Sequence, residues 1–425
     1  MRILWIALLP IWLAAQEYEM TALIPQEYDL KALITNAHQN NPMIKATELN
    51  AQAKSKEMEA SKSAFWPTLD IGGSYSRVTP NSLVNPGETT SGYVTMSMDL
   101  YDGGRKSAMV RAKKFEYRAS LFEQEAFAKD LALKIIDHYY TIRKLQAILA
   151  ALYGQSKELK AQLDRIRKFS AAGLATQEDI DKLVAVYEHN RYTIENTKLS
   201  LQTRLENLRL ESGLPVDNLK NSIFKEPGNI IFEPYEQSKI LQASANVLDE
   251  NAKAVNAGYM PHITLQDNYS RSSFDDMASS PGLDSGSILL DHQNQASISV
   301  SMRLFDNGKM SKEKEALQYQ KLALESKRQY RIDEQKMQFR LSKKNLQTIR
   351  AKLQSARSEL TSAQSTYRAI VKKFENGLVD NIAYLDALNN QTLAKARYDE
   401  TRYDYEIGKS IYYYYAGKDP KEFIE

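Results

Sequence analysis

Two stretches of the chain alternate strictly between apolar and polar residues. Val94, Met96, Met98 and Leu100 alternate with Thr95, Ser97 and Asp99, while Ala296, Ile298, Val300, Met302 and Leu304 alternate with Ser297, Ser299, Ser301 and Arg303. A period of two predicts strands with one apolar and one polar face. A less regular strand precedes each: Leu69, Ile71 and Tyr75 share a face in the first, and Ile263, Leu265 and Tyr269 in the second, where Asp267 is an exception. Four strands are expected, at about 67–78, 92–101, 261–271 and 295–305.

The pattern then changes period. After Gly104 nothing breaks a helix until about Ser170, a length of roughly 100 Å at 1.5 Å per residue. A three-four seam runs along it through Leu131, Ile135, Ile142, Leu145, Leu149, Leu152, Leu159, Leu163 and Ile166, interrupted by His138 and Ser156. A second seam runs through Leu346, Ile349, Leu353, Ala356, Leu360, Ala363, Tyr367, Ile370 and Phe374. Such seams predict helices packed side by side as coiled coils. Each long helix ends at a Gly-Leu turn with another helix beyond it, which makes a helical hairpin pointing away from the strands.

The two halves correspond. Phe65-Trp66-Pro67-Thr68-Leu69 aligns with Tyr259-Met260-Pro261-His262-Ile263, and Leu100-Tyr101-Asp102-Gly103-Gly104 with Leu304-Phe305-Asp306-Asn307-Gly308. Lys168-Phe169 and Gly173-Leu174 align with Lys373-Phe374 and Gly377-Leu378, and Gly213 with Gly417. An internal tandem repeat follows. Residues 16–212 form the first copy, 213–235 a linker, 236–417 the second copy and 418–425 a short tail.

Composition narrows the class. Charged residues make up 26% with a net charge of +3, and there are only 17 Gly and 12 Pro. That balance lacks the concentrated basic face of a nucleic-acid binder. Mean hydropathy is -0.50, and no internal run approaches the ~20 apolar residues of a spanning helix, so membrane insertion has to use strands. Met1-Arg2, the apolar Ile3–Leu13 and Ala14-Ala15-Gln16 read as a secretory signal over residues 1–15. The chain has no cysteine. A soluble sandwich would bury the apolar strand face, whereas a membrane barrel turns it to lipid. Phe65, Trp66, Tyr101, Tyr259 and Phe305 fall at the helix-side strand ends, as an interfacial aromatic girdle requires. Four strands cannot close a barrel, and open edges in lipid leave backbone groups unpaired, so other chains must complete it.

Taken together, the signal segment, the duplicated unit, the Pro-started strand, the Tyr-Asp-Gly-Gly-Arg strand end and the Gly-Leu tips resemble the TolC-like outer-membrane factor family over residues 27–417. The resemblance implies a mixed α/β membrane protein. Its homotrimer builds a 12-stranded transmembrane β-barrel, four strands per protomer, continued by a long coiled-coil periplasmic tunnel. It implies a passive exit duct of an efflux or type I secretion system in a Gram-negative outer membrane. The partners implied are a periplasmic adaptor, an inner-membrane pump and outer-membrane lipid. Residues 213–235 and those around Tyr412–Gly417 would form an equatorial belt.

Candidate residues follow, each beside its structural role. Pro67 and Pro261 sharpen the switch from helix to strand by removing a donor and disfavouring helix before them; Gly103, Gly104 and Gly308 mark the reverse switch. Gly173, Leu174, Ala175, Gly377, Leu378 and Val379 are turn residues at the tips, to which the resemblance adds adaptor docking. It also assigns a periplasmic gate. Asp179 matches a linking Asp and Asp386 a ring Asp, while Ala383 stands at the other ring position. Phe374 and Val379 replace the usual Tyr and Arg, which makes the gate simpler here. The five His residues, His38, His138, His189, His262 and His292, share no metal-ligand spacing, and no catalytic set, cofactor or metal site emerges. Tyr412–Tyr415 read as packing. The competing reading is a structural coiled-coil scaffold of the envelope, which leaves the paired strands unexplained; a hydrolase on a helical stalk lacks a nucleophile and base. The cargo is not written in the sequence.

Overall fold

The computed structural model describes residues 27–82, 84–216, 218–277 and 289–425. The expected signal at 1–15 lies outside the described residues. In chain order the elements are β1 (Glu27–Tyr28), α1 (Leu30–Asn40), α2 (Pro42–Ser63), β2 (Thr68–Arg77), β3 (Glu88–Tyr101), α3 (Arg105–Ala171) and α4 (Gln177–Ser212). They continue with β4 (Asn218–Leu219), α5 (Glu236–Asn256), β5 (His262–Asp275), β6 (His292–Ser301), α6 (Lys309–Glu375) and α7 (Asn381–Tyr415).

The four long strands form one antiparallel sheet in the order β2-β3-β5-β6. Register keeps the two faces apart. Leu69 and Ile71 oppose Met96 and Val94, Met98 opposes Leu265, and Leu265 and Ile263 oppose Ile298 and Val300. The other face pairs Thr68 with Ser97, Thr95 with Asn268 and Gln266 with Ser297. Asp267 interrupts the apolar face between Met96 and Ala296. Both edges, β2 and β6, are unpaired in the protomer.

Two strand details differ from the sequence expectation. A bulge between Asp99 and Tyr101 puts Tyr101 opposite Ile263, so Tyr101, not Leu100, continues the apolar face; one extra residue flips the side chains beyond it. The last strand stops at Ser301, paired with His262. The next residue of its partner is Pro261, which has no N–H to continue the ladder, so Met302–Phe305 run on unpaired.

The two 67-residue helices span roughly 100 Å each. α3 packs on α2, α4, α5 and α7, and α6 packs on α5 and α7. Near the sheet the helices therefore lie side by side as α2-α3-α5-α6, and towards the tips as α4-α3-α7-α6. The α3 seam is a true core: Leu131, Ile135, Ile142, Leu149, Leu159, Leu163 and Ile166 are buried. On α6, by contrast, only Ala356 of the predicted seam is buried, because α6 is an edge helix covered on one side.

The main apolar cluster sits midway along the helices. Leu30, Leu33 and Ile34 of α1 meet Ile135, Ile136, Tyr139 and Tyr140 of α3, Phe224 of the linker and Tyr412 and Tyr413 of α7. Burying each such side chain stabilises the fold by ~1.5–3 kcal/mol. The linker is tied at both ends of the chain. β1 pairs in parallel with β4, Phe224 bridges to Ile424, and Phe423 stacks on Tyr413 at 3.8 Å. Residues of the 418–425 tail thus pack against the linker and α7. The tyrosine run packs as expected, with Tyr413 and Tyr412 hydroxyls donating to the carbonyls of Lys225 and Gly228.

Candidate functional site

The strand-to-helix junctions share one geometry. Asp102 accepts the N–H groups of Gly104 at 3.1 Å and Lys106 at 2.7 Å; Asp306 accepts those of Gly308 at 3.0 Å and Met310 at 2.9 Å. Each carboxylate caps the free N–H groups of a helix start, and these donors, with the Met310 N–H first, hold Asp306 below the usual carboxylate range. Two left-handed residues make each corner, Gly103 and Gly104 at φ 68° and 88°, Asn307 and Gly308 at 56° and 74°. A Cβ on Gly103 would lie 2.4 Å from that of Met260, so this position admits glycine alone. Pro67 and Pro261 directly precede β2 and β5. Phe65, Trp66, Tyr101, Tyr259 and Phe305 gather at the same end of the sheet; Trp66 and Phe305 are 75% and 78% exposed, and the Tyr259 hydroxyl donates to Asp306.

The tips are also matched. Gly173 and Gly377 take φ of 76° and 70°, the left-handed value that closes a helix end. Leu174 N–H donates to Phe169 O and Leu378 N–H to Lys373 O, both at 2.8 Å. Phe169 is therefore the counterpart of Lys373 and not of Phe374, a one-residue correction to the aligned halves. Leu174 and Leu378 project, 76% and 73% exposed, while Ala175 and Val379 are half-buried. Asp179 closes a capping box with Thr176, whose hydroxyl and amide hold its carboxyl below the usual range. In the second hairpin Asp380 caps α7 by accepting Ala383 N–H at 2.9 Å.

Behind the tips lies a second apolar cluster of Leu159, Leu163, Ile166, Leu183, Tyr384 and Leu388. Phe374 stacks on Tyr384 at 5.0 Å, with the Arg165 guanidinium 5.3 Å over its ring. The buried Tyr384 hydroxyl lies 3.3 Å from that of Tyr367 and 3.4 Å from Glu158, linking α3, α6 and α7; burial pushes this phenol up. Sequence reasoning missed this link. It also missed a buried polar rung one residue before Ser156. Asn190 of α4 donates to Gln155 of α3 at 2.8 Å, and Gln155 reaches Asn389 of α7 at 3.5 Å. The signal was a polar residue inside an apolar seam, read one position out. His138, on the same seam, contacts Arg204 and Glu211.

Asp386 is exposed and, among the described residues, has no ion-pair partner. It shares a helix face with Leu393, Glu400 and Ile407, spaced by sevens. Two grooves run between α6 and α7. One, about 880 Å³, is lined by Lys352, Arg397, Glu400, Asp404 and Ile407. The other, about 450 Å³, is lined by Lys343, Arg350, Tyr405 and the linker residues Glu226–Asn229. Lying between the same helices at overlapping heights, they are on opposite faces of the layer. Asp386 thus belongs to the face away from the linker, where Arg397 pairs with Glu359 at 2.6 Å and Lys144 with Glu400 at 2.7 Å.

Among the described residues no helix is long and apolar enough to cross a membrane, and no group of three His, Asp or Glu side chains is placed to hold a metal. No curated protein sequence matches the chain. Solved structures do. The outer membrane protein VceC of Vibrio cholerae superposes with a TM-score of 0.78 at 14% identity, over 92% of this chain and 96% of that one. The Campylobacter jejuni CmeC outer membrane channel gives 0.79 at 15%, over 91% and 85%, and the Neisseria gonorrhoeae MtrE outer membrane channel 0.77 at 14%, over 92% and 89%. At such identities the likeness is one of fold. The model of the outer membrane efflux protein family matches residues 33–214 and 239–408, most of the chain in two separate segments; the chain belongs to that family and is an outer-membrane protein with a periplasmic extension.

Proposed function

We propose that the chain is one protomer of a trimeric exit duct, which passively conducts cargo from an inner-membrane pump, through a periplasmic adaptor, across the outer membrane. One observation carries this reading. A sheet with separated apolar and polar faces continues into a four-helix layer, and both are open along both edges. Three copies would close twelve strands and twelve helices, with no strand edge left in lipid. The apolar strand face would meet lipid, and the five junction aromatics would lie at the membrane interface. The linker would lie outside, since a segment layered on the inner face would obstruct the lumen. Asp386 would then face the lumen near the tips as a ring of three carboxylates, and Leu174 and Leu378 would present the adaptor's docking surface. Two family matches and the matched junctions support the tandem repeat.

The test is assembly and conductance. The purified chain should migrate as a detergent-resistant trimer, sediment with outer membranes and conduct ions in planar bilayers. A monomer, or a trimer without conductance, would return the chain to the scaffold reading.

A further inference from the structure

On the sheet-side half of the helix layer, α3, α5 and α6 enclose a cleft of about 430 Å³ beside Pro234, where the linker enters α5. Its walls combine two kinds of group. Phe115, Leu121 and Phe122 of α3 supply apolar surface, and Arg118, Lys239 and Arg328 supply three cations. No carboxylate lines it. The cations stand in contact with rings: Arg118 is 5.8 Å from the Phe115 centroid and Lys239 5.7 Å from that of Phe122, within cation–π range. Lys239 also reaches Glu236 at 3.2 Å, but that carboxylate is already held by Lys129 at 2.8 Å. Among the described residues, Arg118 and Arg328 have no ion-pair partner. The Nε of Arg328 is buried with no acceptor.

A buried guanidinium N–H without an acceptor is a group whose hydration has been lost and not replaced. Here one such arginine, Arg328, and the exposed Arg118 flank a pair of phenyl rings, in a volume typical of small-molecule sites. We propose that this cleft binds an amphiphilic anion, an aromatic body carrying one carboxylate or sulfonate. The ring system would lie between Phe115 and Phe122, and the acid would take a paired hydrogen bond from Arg328 with Arg118 closing over it. The site is complete within one protomer, so each copy would carry one, and it does not depend on the duct being open.

The assembled protein in lipid nanodiscs can be titrated calorimetrically with 2-naphthoate and with the neutral 2-naphthalenemethanol. The expected result is one saturable site per protomer for the acid, with the alcohol weaker by about ten-fold or more, the size of one charge-assisted hydrogen bond. Arg328→Gln and Phe122→Ala should each weaken naphthoate by a similar factor. Arg118→Gln, at an exposed side chain outside the apolar core, guards against a folding artefact and should also weaken it. Absence of saturable binding, equal affinity for the alcohol, or unchanged affinity in both arginine variants would overturn the assignment.

Discussion

Lys409, buried on α7, donates to the carbonyl of Phe224 at 2.7 Å, while Glu406, one turn away, accepts the amide of the same residue at 2.7 Å. The two charges also pair with each other at 2.7 Å. One residue of the linker is thus held through both its N–H and its C=O, and burial raises the Glu406 carboxyl above its ordinary value despite the ammonium beside it.

Removing only the cation should be costly. Lys409→Met leaves Glu406 buried without its partner and should lower stability by about 3–5 kcal/mol. The double variant Lys409→Met, Glu406→Leu should recover most of that loss. Thermal unfolding of the three proteins measures the difference. Equal stability of single and double variants would show that the pair is not coupled.

A second buried pair sets the acid limit. Burial is the largest single influence on Glu236 and disfavours its ionisation, but the hydrogen bonds from Lys129, Lys239 and its own amide, together with the Lys129 charge, outweigh it, and the net pKa lies below the ordinary 4.5. A lowered carboxyl pKa contributes stability above about pH 4.5 and loses it as the pH falls through the folded value. Tm should therefore drop on acidification below about pH 4.5, and Lys129→Met should flatten that part of the profile while lowering Tm at neutral pH.

At the tips, Asp386→Ala should reduce cation selectivity and block by multivalent cations from the periplasmic side, because three like charges in a constriction concentrate cations. Trimer yield should be unchanged, since no partner is lost. Unchanged single-channel selectivity and block would show that Asp386 is a solvated surface charge.

Leu174 and Leu378 give the contrast. Both project from the turns and support no core, so Leu174→Asp with Leu378→Asp should change folding stability by no more than about 0.5 kcal/mol while abolishing capture of the adaptor. Retained capture in a pull-down would place docking elsewhere.

What could be read from the sequence was local. Strand faces follow from period two, the long helices from unbroken seams, and the corners from Asp-Gly-Gly and Asp-Asn-Gly. What escaped depends on residues brought together across the fold. The bulge at Leu100 is set by pairing with β5, the end of β6 by Pro261 on its neighbour, and the Phe224 clamp joins residues on opposite sides of the chain. Tyr384 carries no signal of its own in the sequence; its link exists only where α3 and α6 supply Glu158 and Tyr367. Asp179 illustrates the opposite limit: its spacing from the tip is real, but within the protomer Thr176 already engages it.

The distribution of buried residues also makes the protomer a lever. The clamp on Phe224 and the aromatic cluster around it fix α7 near Lys409, whereas beyond Tyr384 little but turn residues remains. From Lys409 to Asn381 the helix runs about 42 Å at 1.5 Å per residue. A tilt of 10° about the clamped end would carry the tip sideways by about 7 Å, with no change in the sheet and little change around Phe224. Small rotations at a stiff fulcrum are thus magnified at the tips.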